Sequence, residues 1–350
     1  MQSPYNAKES LRWLVHLAHP SWIQHAPLNR QPLSANMLAP TSDHRTARIV
    51  LFGDLMPFAD RRELTVTPSI RKLFQQADLV IGNCETPVAA QTSIKPFVFV
   101  MGTDRIRAAL EAMGVRQTPE RCVLNIANNH AGDHREDGFA ETLTQLGSLG
   151  VTVAGVQRDG VPFVPTIQVG SAHIAVLGWT EWINRDRFPQ GLGICRHEHV
   201  DRQIADAREA GADCLLGFPH WDFEFCMFPS GQTVQTARNL LSRGITALIG
   251  HHPHVVQPVA RYPEGLCIYS LGNATPLPTR TARWPMTVGA VLCLDVVSEG
   301  NDVGAIVSYK VVPIRIRRES RRILLSAIAA DHPASANEQA LIERLFAPSE

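Results

Sequence analysis

The sequence lacks an excess of charge of either sign. Its 350 residues include 33 basic and 33 acidic residues, so the formal net charge is zero with histidine neutral. Proteins that bind nucleic acid or an anionic membrane surface usually show a basic patch. The densest group of arginines, within residues 315–322, is interrupted by Glu319 and is typical of a solvated face. The composition therefore predicts no nucleic-acid partner.

The sequence also lacks paired cysteines and long apolar runs. Its seven cysteines are an odd number, and none forms a CxxC pair. Most lie in apolar runs, where free cysteine behaves as a small hydrophobe, so the pattern favours a reducing compartment. No apolar run approaches the ~18 residues of a membrane-spanning helix, and no basic segment followed by an apolar one begins the chain. We therefore expect a cytoplasmic protein without a membrane span.

From residue 48 onward the sequence alternates short apolar runs with amphipathic stretches. Hydrophobic residues make up 45% of the chain and charged residues 19%, which is ample for a large core. The apolar runs predict buried strands, and the amphipathic stretches predict helices at 69–77, 103–113, 138–149, 199–210, 233–243 and 336–346. Strands that alternate with helices, together with a hairpin at 166–178 and antiparallel strands at 287–297 and 305–316, predict an α/β domain of two packed sheets with helices outside.

Three regions are predicted along the chain. Residues 1–45 form an N-terminal arm, in which a short amphipathic helix at 11–17 precedes several prolines. Trp13 and Trp22 indicate that the arm is anchored on the main domain or on a neighbouring subunit. Residues 46–320 show no linker-like break and form the main domain, and residues 321–350 form a C-terminal helical tail. No pattern indicates the oligomeric state.

Polar residues follow the apolar runs within about four positions. They are Asp54, Glu85, Asn129 with His130, His220, and His252 with His254. Ligands of open α/β sheets bind beyond the carboxyl ends of the strands, so these side chains are expected to meet at one edge. Carboxylate, amide and imidazole groups without thiolate suit Mn, Fe or Zn. The count exceeds the three protein ligands typical of one catalytic ion and fits two divalent ions that share a carboxylate.

The densest polar segment is 247–257, which turns at Gly250 and carries His251, His252 and His254. Imidazole is the commonest metal ligand among side chains near neutral pH. Pro253 is expected to hold the backbone of His252 in an extended geometry. The alternative is a polar turn that carries histidines by chance. The other positions have similar alternatives: turns at Asp54, Glu85 and Asn128–Asn129, and a core histidine at His220.

The same residues carry a resemblance to a known family. The motifs are GD at 53–54, NCE at 83–85, NNHAGD at 128–133, HWDFE at 220–224, GHHPHVVQP at 250–258 and YSLGN at 269–273. In this order, over roughly residues 48–275, they resemble the CapA family, which is associated with poly-γ-glutamate capsule synthesis and is similar in fold to calcineurin-like metallophosphoesterases. The resemblance implies a four-layer α-β-β-α sandwich with a metal site on one edge.

The resemblance also implies roles for individual side chains. The expected metal ligands are Asp54, Glu85 as the bridging group, Asn129, His220, His252 and His254. The expected catalytic residues are His130, in the place of the general acid, and Asp133. The expected substrate-binding residues are Asn128, Trp221, Glu224, His251 and Asn273. The chain departs from the family pattern at Cys84, Asp222, His134, Arg135 and Ala274, and none of these positions is an expected ligand.

These residues predict a metal-dependent hydrolase. Two divalent ions would activate a water that attacks a phosphoester or an amide or γ-glutamyl bond of a small-molecule or polymer substrate, and His130 would protonate the leaving group. The reaction would belong to capsule or poly-γ-glutamate metabolism. The alternative is a non-catalytic, accessory metal-binding protein in polymer or metabolite biosynthesis. A ligase or transferase driven by nucleotide hydrolysis is disfavoured because no GxxxxGK[ST] motif occurs.

Overall fold

The structure, a computed structural model, describes residues 6–38, 44–58, 62–95, 98–118, 120–135, 137–278 and 284–347. Within these ranges the helices are α1 (Ala7–Ala18), α2 (Pro68–Gln75), α3 (Thr103–Met113), α4 (Gly138–Ser148), α5 (Val200–Glu209), α6 (Gly231–Ser242) and α7 (Ala336–Phe346). The strands are β1 (Ser34–Asn36), β2 (Arg45–Leu55), β3 (Glu63–Val66), β4 (Leu79–Cys84), β5 (Val88–Ala89), β6 (Ser93–Lys95), β7 (Val98–Gly102), β8 (Cys122–Asn125), β9 (Thr152–Ala154), β10 (Val156–Arg158), β11 (Val161–Phe163), β12 (Thr166–Val169), β13 (Ala172–Thr180), β14 (Leu192–Ile194), β15 (Cys214–His220), β16 (Ala247–Ile249), β17 (Val259–Tyr262), β18 (Gly265–Ile268), β19 (Val288–Glu299), β20 (Ile306–Arg318) and β21 (Arg322–Ala327).

The larger sheet has the strand order β3-β21-β20-β19-β2-β4-β8-β9, and β1 pairs with β20. Strands β2, β4, β8 and β9 run parallel, whereas β19 runs antiparallel to β2. Successive side chains of a strand point to opposite faces. On β2, Ile49 and Leu51 accordingly belong to one apolar core, and Val50 and Phe52 belong to another. The sheet is therefore covered on both faces.

The second sheet has the order β12-β13-β15-β16-β18-β17, with four parallel inner strands and an antiparallel strand at each edge. The two sheets share one apolar core, which contains Leu51 of β2, Val176 of β13 and Leu248 of β16. Helices α2, α3 and α4 cover the outer face of the larger sheet, and α5 and α6 cover that of the second sheet. The predicted α-β-β-α sandwich of two mixed sheets is confirmed.

The predicted helices appear at the expected places. Helices α3 and α7 have the predicted bounds, and the others agree to about two residues, apart from α1. Helix α1 is longer than predicted because Asn6 and Glu9 form a capping box at its start. The region 321–350, predicted as a helical tail, begins with strand β21 and continues to helix α7. The alternating burial of Ile323 and Leu325 explains this strand.

The N-terminal arm packs on the main domain, which is one of the two predicted positions. Trp13, Leu17 and Trp22 pack against the core between the sheets. Strand β1 then pairs with β20, with Ser34 opposite Lys310. All seven cysteines are buried and free. None of the helices in the described part of the chain combines the length and the apolar character that a membrane crossing needs.

An ion pair attaches helix α7 to the larger sheet. Arg315 of β20 donates to both carboxylate oxygens of Glu338, with Nε 2.6 Å from Oε1. Glu338 also accepts from the backbone and hydroxyl of Ser335. Burial raises the pKa of Glu338, but the hydrogen bonds from Arg315 and Ser335 outweigh it and lower the pKa to about 2.

We expect the Glu338→Gln substitution to lower the free energy of unfolding by about 2 kcal/mol at pH 7. Because the folded-state pKa lies below the ordinary value of 4.5, the carboxylate stabilises the fold fully above that pH. The contribution is lost as the pH falls toward 2, so the difference between the two proteins should shrink. Urea denaturation at several pH values measures the difference in the free energy of unfolding between wild-type protein and Glu338→Gln. The control is Glu343→Gln, which changes an exposed glutamate of the same helix. An equal difference at pH 7 and at pH 2.5 would contradict this account.

Candidate metal centre

The predicted metal-binding residues lie where parallel strands of both sheets end. Asp54 lies near the end of β2, and Glu85 follows β4 directly. Asn129 lies on the loop after β8, and His220 is the last residue of β15. His252 and His254 lie on the loop after β16. The structure thus brings side chains from both sheets to one edge.

Glu85 lies at the centre of this cluster. Its Oε1 is 3.5 Å from Nε2 of His220 and 3.5 Å from Nε2 of His254. Within the described residues, two groups of three side chains have ligand atoms within 4.8 Å of one another: Glu85 with His252 and His254, and Asp54 with Glu85 and His220. Glu85 is the residue that the two groups share. This arrangement matches two ions bridged by one carboxylate.

Asp54 is fixed by neighbours on both sheets. Its Oδ2 lies 3.2 Å from Nδ1 of His254, and Nδ2 of Asn83 donates to its Oδ1 at 2.8 Å. Asn83 in turn accepts from Asn125 at 3.2 Å. Asn83 and Asn125 are not among the site residues predicted from the sequence. Asn83 could have been predicted, because successive side chains of a strand alternate between the two faces of the sheet and Asn83 is therefore on the same face as Glu85.

Asn129 contributes an amide oxygen next to His220. Its Oδ1 lies 3.0 Å from Nε2 of His220, the ring nitrogen that also approaches Glu85. The rings of His220 and His252 are 4.5 Å apart between centroids. Amide, carboxylate and imidazole atoms therefore converge from five separate segments of the chain.

The donor set fits a divalent cation. Oε1 of Glu85 and Nδ1 of His220 are buried and form no hydrogen bond within the described residues. A buried polar atom without a partner is costly, and ligation of a cation by Glu85 would remove that cost. The neighbouring Cys84 donates to a backbone oxygen, and burial raises the pKa of its thiol to about 12. The oxygen and nitrogen donors suit Mn, Fe or Zn.

The pKa values of the two carboxylates shift in opposite directions. Burial and the charge of Asp54 raise the pKa of Glu85 well above its ordinary value. Burial also raises the pKa of Asp54, but the hydrogen bond from His254 and the charges of His251 and His254 outweigh it, so the net pKa is lowered. Burial lowers the pKa of His254, yet the bond to Asp54 and the charge of Glu224 raise it overall. Both shifts favour a charged pair of Asp54 and His254, whose Oδ2 and Nδ1 lie 3.2 Å apart.

The other two histidines of the cluster stay neutral. Burial and the neighbouring His252 and His254 lower the pKa of His220. Burial and His254 likewise lower the pKa of His252. Neutral imidazole is the form that binds a metal, so these rings are ready for ligation without losing a proton.

The backbone of the 247–257 segment corrects one prediction. His252 has φ 95° and His254 has φ 54°, so Pro253 does not hold His252 extended. Positive φ at a non-glycine residue costs on the order of 1–3 kcal/mol and is concentrated at functional sites. A hydrogen bond from the backbone N–H of Phe225 to the carbonyl oxygen of Pro253, 2.8 Å long, stabilises the loop. At Gly250, an added Cβ would lie 1.9 Å from the carbonyl oxygen of Tyr269, so only glycine fits.

A histidine–carboxylate pair lies beside the cluster. Nδ1 of His130 is 2.7 Å from Oδ2 of Asp133 and 3.3 Å from Nδ2 of Asn184. Asp133 is buried, whereas the side chain of His130 is 12% exposed. The carboxylate therefore orients the ring and leaves Nε2 on its opposite side. Asn184 lies in an irregular segment, and no sequence pattern indicated its role.

Four of the five predicted substrate-binding side chains are buried and contact the protein itself. Asn128 donates to the carbonyl oxygen of Cys84 at 2.8 Å. Trp221 donates to the carbonyl oxygen of Tyr269 at 3.0 Å. His251 stacks on Phe218 with ring centroids 5.5 Å apart. Asn273 lies 3.0 Å from Nδ1 of His254 and donates to that residue's carbonyl oxygen. The fifth, Glu224, is half-buried and accepts from Trp13.

The part of the chain that carries these motifs matches known proteins. The sequence profile described as bacterial capsule synthesis protein PGA_cap matches residues 48–275. The PGA biosynthesis protein CapA of Bacillus subtilis (strain 168) is 28% identical over 214 residues, which cover 58% of this chain and 54% of that protein. The capsule biosynthesis protein CapA of Bacillus anthracis is 26% identical over 242 residues, which cover 64% and 58%. The chain thus spans about half the length of the curated relatives it matches.

Two solved structures show partial likeness. A novel phosphatase of Mycoplasma pneumoniae is 13% identical, with a TM-score of 0.47 and coverage of 78% of this chain and 94% of that one. The 5'-nucleotidase of Candida albicans is 10% identical, with a TM-score of 0.46 and coverage of 86% and 57%. The profile match extends over more than half of the chain and contains all six motifs. The resemblance to CapA is confirmed, and the chain belongs to the family of bacterial capsule synthesis proteins described as PGA_cap.

Proposed function

We propose that the protein is a metal-dependent hydrolase. The observation that carries the proposal is the pair of ligand groups that share Glu85. The residues that would hold two divalent ions are Asp54, Glu85, Asn129, His220, His252 and His254. Bound there, the ions would supply Lewis-acid activation of a water and stabilise negative charge in the transition state.

His130 is proposed as the general acid. Asp133 orients its Nδ1, so Nε2 is the atom that gives a proton to the leaving group. The side chain of Asn184 lies beside the same ring, and its backbone N–H donates to the carbonyl oxygen of Asn129 at 2.9 Å. The general acid is thereby linked to the ligand set through one loop.

The bond proposed for cleavage is a phosphoester, or an amide or γ-glutamyl bond. Both reactions need an activated water and a site that stabilises negative charge on oxygen. The names of the curated relatives concern capsule and PGA biosynthesis. We therefore place the substrate, a small molecule or a polymer, in capsule or poly-γ-glutamate metabolism, and expect manganese to support activity.

Hydrolysis by manganese-loaded protein tests the proposal. We expect turnover of p-nitrophenyl phosphate, bis(p-nitrophenyl) phosphate or L-γ-glutamyl-p-nitroanilide. Treatment with EDTA should abolish it, because the nucleophile is not activated without the ions. Addition of Mn, Fe or Zn should restore it. Wild-type-like activity in protein shown by elemental analysis to be free of metal would contradict the proposal.

A non-catalytic, accessory metal-binding protein is the second candidate. It is favoured by the burial of Asn128, Trp221, His251 and Asn273, which bond or stack within the protein. The two candidates differ in turnover. An accessory protein would hold its ions and hydrolyse neither class of substrate.

A further inference from the structure

Phe225 lies against the histidine loop that follows strand β16. Its backbone N–H donates to the carbonyl oxygen of Pro253, midway between the two histidine ligands of that loop, at 2.8 Å. Its ring lies 6.1 Å from that of His254 between centroids. Further along the loop, Nε2 of Gln257 donates at 2.8 Å to the carbonyl oxygen of Cys226, the residue after Phe225. The segment around Phe225 therefore contacts the loop at its centre and near its end.

The N-terminal arm holds the same segment. The backbone N–H of Ser21 donates to the carbonyl oxygen of Phe225 at 2.9 Å, and the N–H of Met227 donates to the carbonyl oxygen of Ser21 at 2.8 Å. The ring of Trp13 packs on that of Phe225 with centroids 6.0 Å apart, and its Nε1 donates to Glu224 at 2.7 Å. Phe225 thus gives its N–H to the histidine loop and its carbonyl oxygen to the arm, so it links the two directly.

The backbone on both sides of this link has an unfavourable conformation. Phe225, His252 and His254 have positive φ, of 62°, 95° and 54°. Positive φ is unfavourable for residues with a side chain and persists only where the surrounding structure imposes it. At His252 it also opposes the extended geometry that Pro253 favours. Contacts from elsewhere in the chain must therefore hold these residues, and the arm supplies such contacts to Phe225.

The arm supports one of the two ligand groups in particular. That group consists of Glu85 with His252 and His254, and both histidines lie on the loop that Phe225 contacts. In the other group, Asp54 belongs to strand β2 and His220 to strand β15, so pairing with neighbouring strands holds their backbone. Loss of the contacts from the arm should therefore weaken binding of the ion of the first group and spare the other.

We propose that the N-terminal arm is a positioning element of the metal centre, in which Trp13 holds Phe225 and Phe225 holds His254 in place for its ion. Trp13 and Phe225 are positioning residues, because each acts through His254. The proposal rests on the proposed hydrolase function, which requires the two ions. The arm lies outside residues 48–275, which the family profile matches, so the support comes from a part of the chain beyond that match.

Hydrogen exchange tests the support in protein without metal. Trp13→Ala removes the ring that packs on Phe225, so the histidine loop should open more often. We expect faster exchange than in wild-type protein across residues 250–257, measured by mass spectrometry of that peptide. Trp22→Ala is the control, because it removes the same ring from the same arm where the ring packs under Arg344, at 4.6 Å. The control should exchange as wild-type protein does in this peptide.

Manganese titration of the full chain tests the effect on the ions. Wild-type protein should bind a spin-coupled pair of ions, which electron paramagnetic resonance distinguishes from a single bound ion. Trp13→Ala should bind one ion with wild-type affinity and the second about tenfold more weakly. Phe225→Leu, which removes the other ring of the contact, should show the same selective loss, whereas Trp13→Phe keeps a ring and should bind both ions as wild-type protein does. Circular dichroism checks that each variant is folded.

The outcomes separate this proposal from the hydrolase function. Unchanged exchange of residues 250–257 in Trp13→Ala would overturn the positioning role. So would wild-type affinity of that variant for both ions, or an equal loss of the second ion in Trp13→Phe or Trp22→Ala. If wild-type protein binds no pair of ions but the loop still exchanges faster in Trp13→Ala, the support of His254 by the arm stands and the hydrolase function fails.

Discussion

Replacing Glu85 with glutamine is expected to remove both ions and the activity that depends on them. Glu85 is the residue common to both ligand groups, so its loss affects both sites together. A neutral amide cannot supply the negative charge that a bridging ligand contributes. Mutation of a residue that only hydrogen-bonds to a metal ligand lowers metal affinity by about 10–100-fold. The loss of affinity in Glu85→Gln should be larger, because Glu85 is itself a ligand. Elemental analysis after manganese loading measures it directly.

The same variant should fold normally without metal. Burial and the charge of Asp54 already raise the pKa of Glu85, so a neutral side chain at this position relieves an unfavourable contact. We therefore expect the metal-free variant to unfold no more easily than metal-free wild-type protein. Glu209→Gln, an exposed acidic residue of α5, is the matched control. Retention of two ions per chain by Glu85→Gln would contradict the bridging role.

Replacing His130 with alanine is expected to lower kcat by about 10²–10⁴-fold while the metal content stays unchanged. His130 lies outside both ligand groups, and its Nδ1 is engaged by Asp133. A general acid matters most when the leaving group needs a proton. The loss should therefore be large for alkyl phosphates or alkyl amides and small for p-nitrophenyl phosphate, whose leaving group departs as a stable anion.

A neighbouring histidine provides the control for this prediction. His134 lies four residues further along and approaches Glu141 at 3.6 Å, so His134→Ala should retain wild-type rates with both classes of leaving group. An equal loss with good and poor leaving groups in His130→Ala would refute the general-acid role. Loss of metal from that variant would instead place His130 among the ligands.

Much of the fold follows from local pattern in the sequence. The apolar runs at 49–52 and 79–82 form neighbouring parallel strands of the larger sheet, and the run at 214–218 forms an inner parallel strand of the second sheet. Each run is apolar on both faces, as a doubly covered sheet requires. Helix α3 has its predicted bounds because Gly114 ends it in the left-handed conformation. The strands of two or three residues, such as β5, β10 and β14, are too short to show a period.

The candidate site was predictable where it depends on strand ends and unpredictable where it depends on long-range contact. Asp54, Glu85 and His220 lie at or directly after the last residues of their strands, which locates them. The contact between Trp13 and Glu224 joins two segments 211 positions apart, and nothing local to either one indicates it. The positive φ of His252 arises from the surrounding loop and opposes the local preference set by Pro253.

Anomalous scattering from manganese-soaked crystals tests the central claim most directly. The account predicts two peaks about 3.5–4 Å apart, with Glu85 bound to both. His252 and His254 should lie against one ion, and Asp54 and His220 against the other, as the two ligand groups indicate. A single peak, or peaks that do not touch Glu85, would contradict the account.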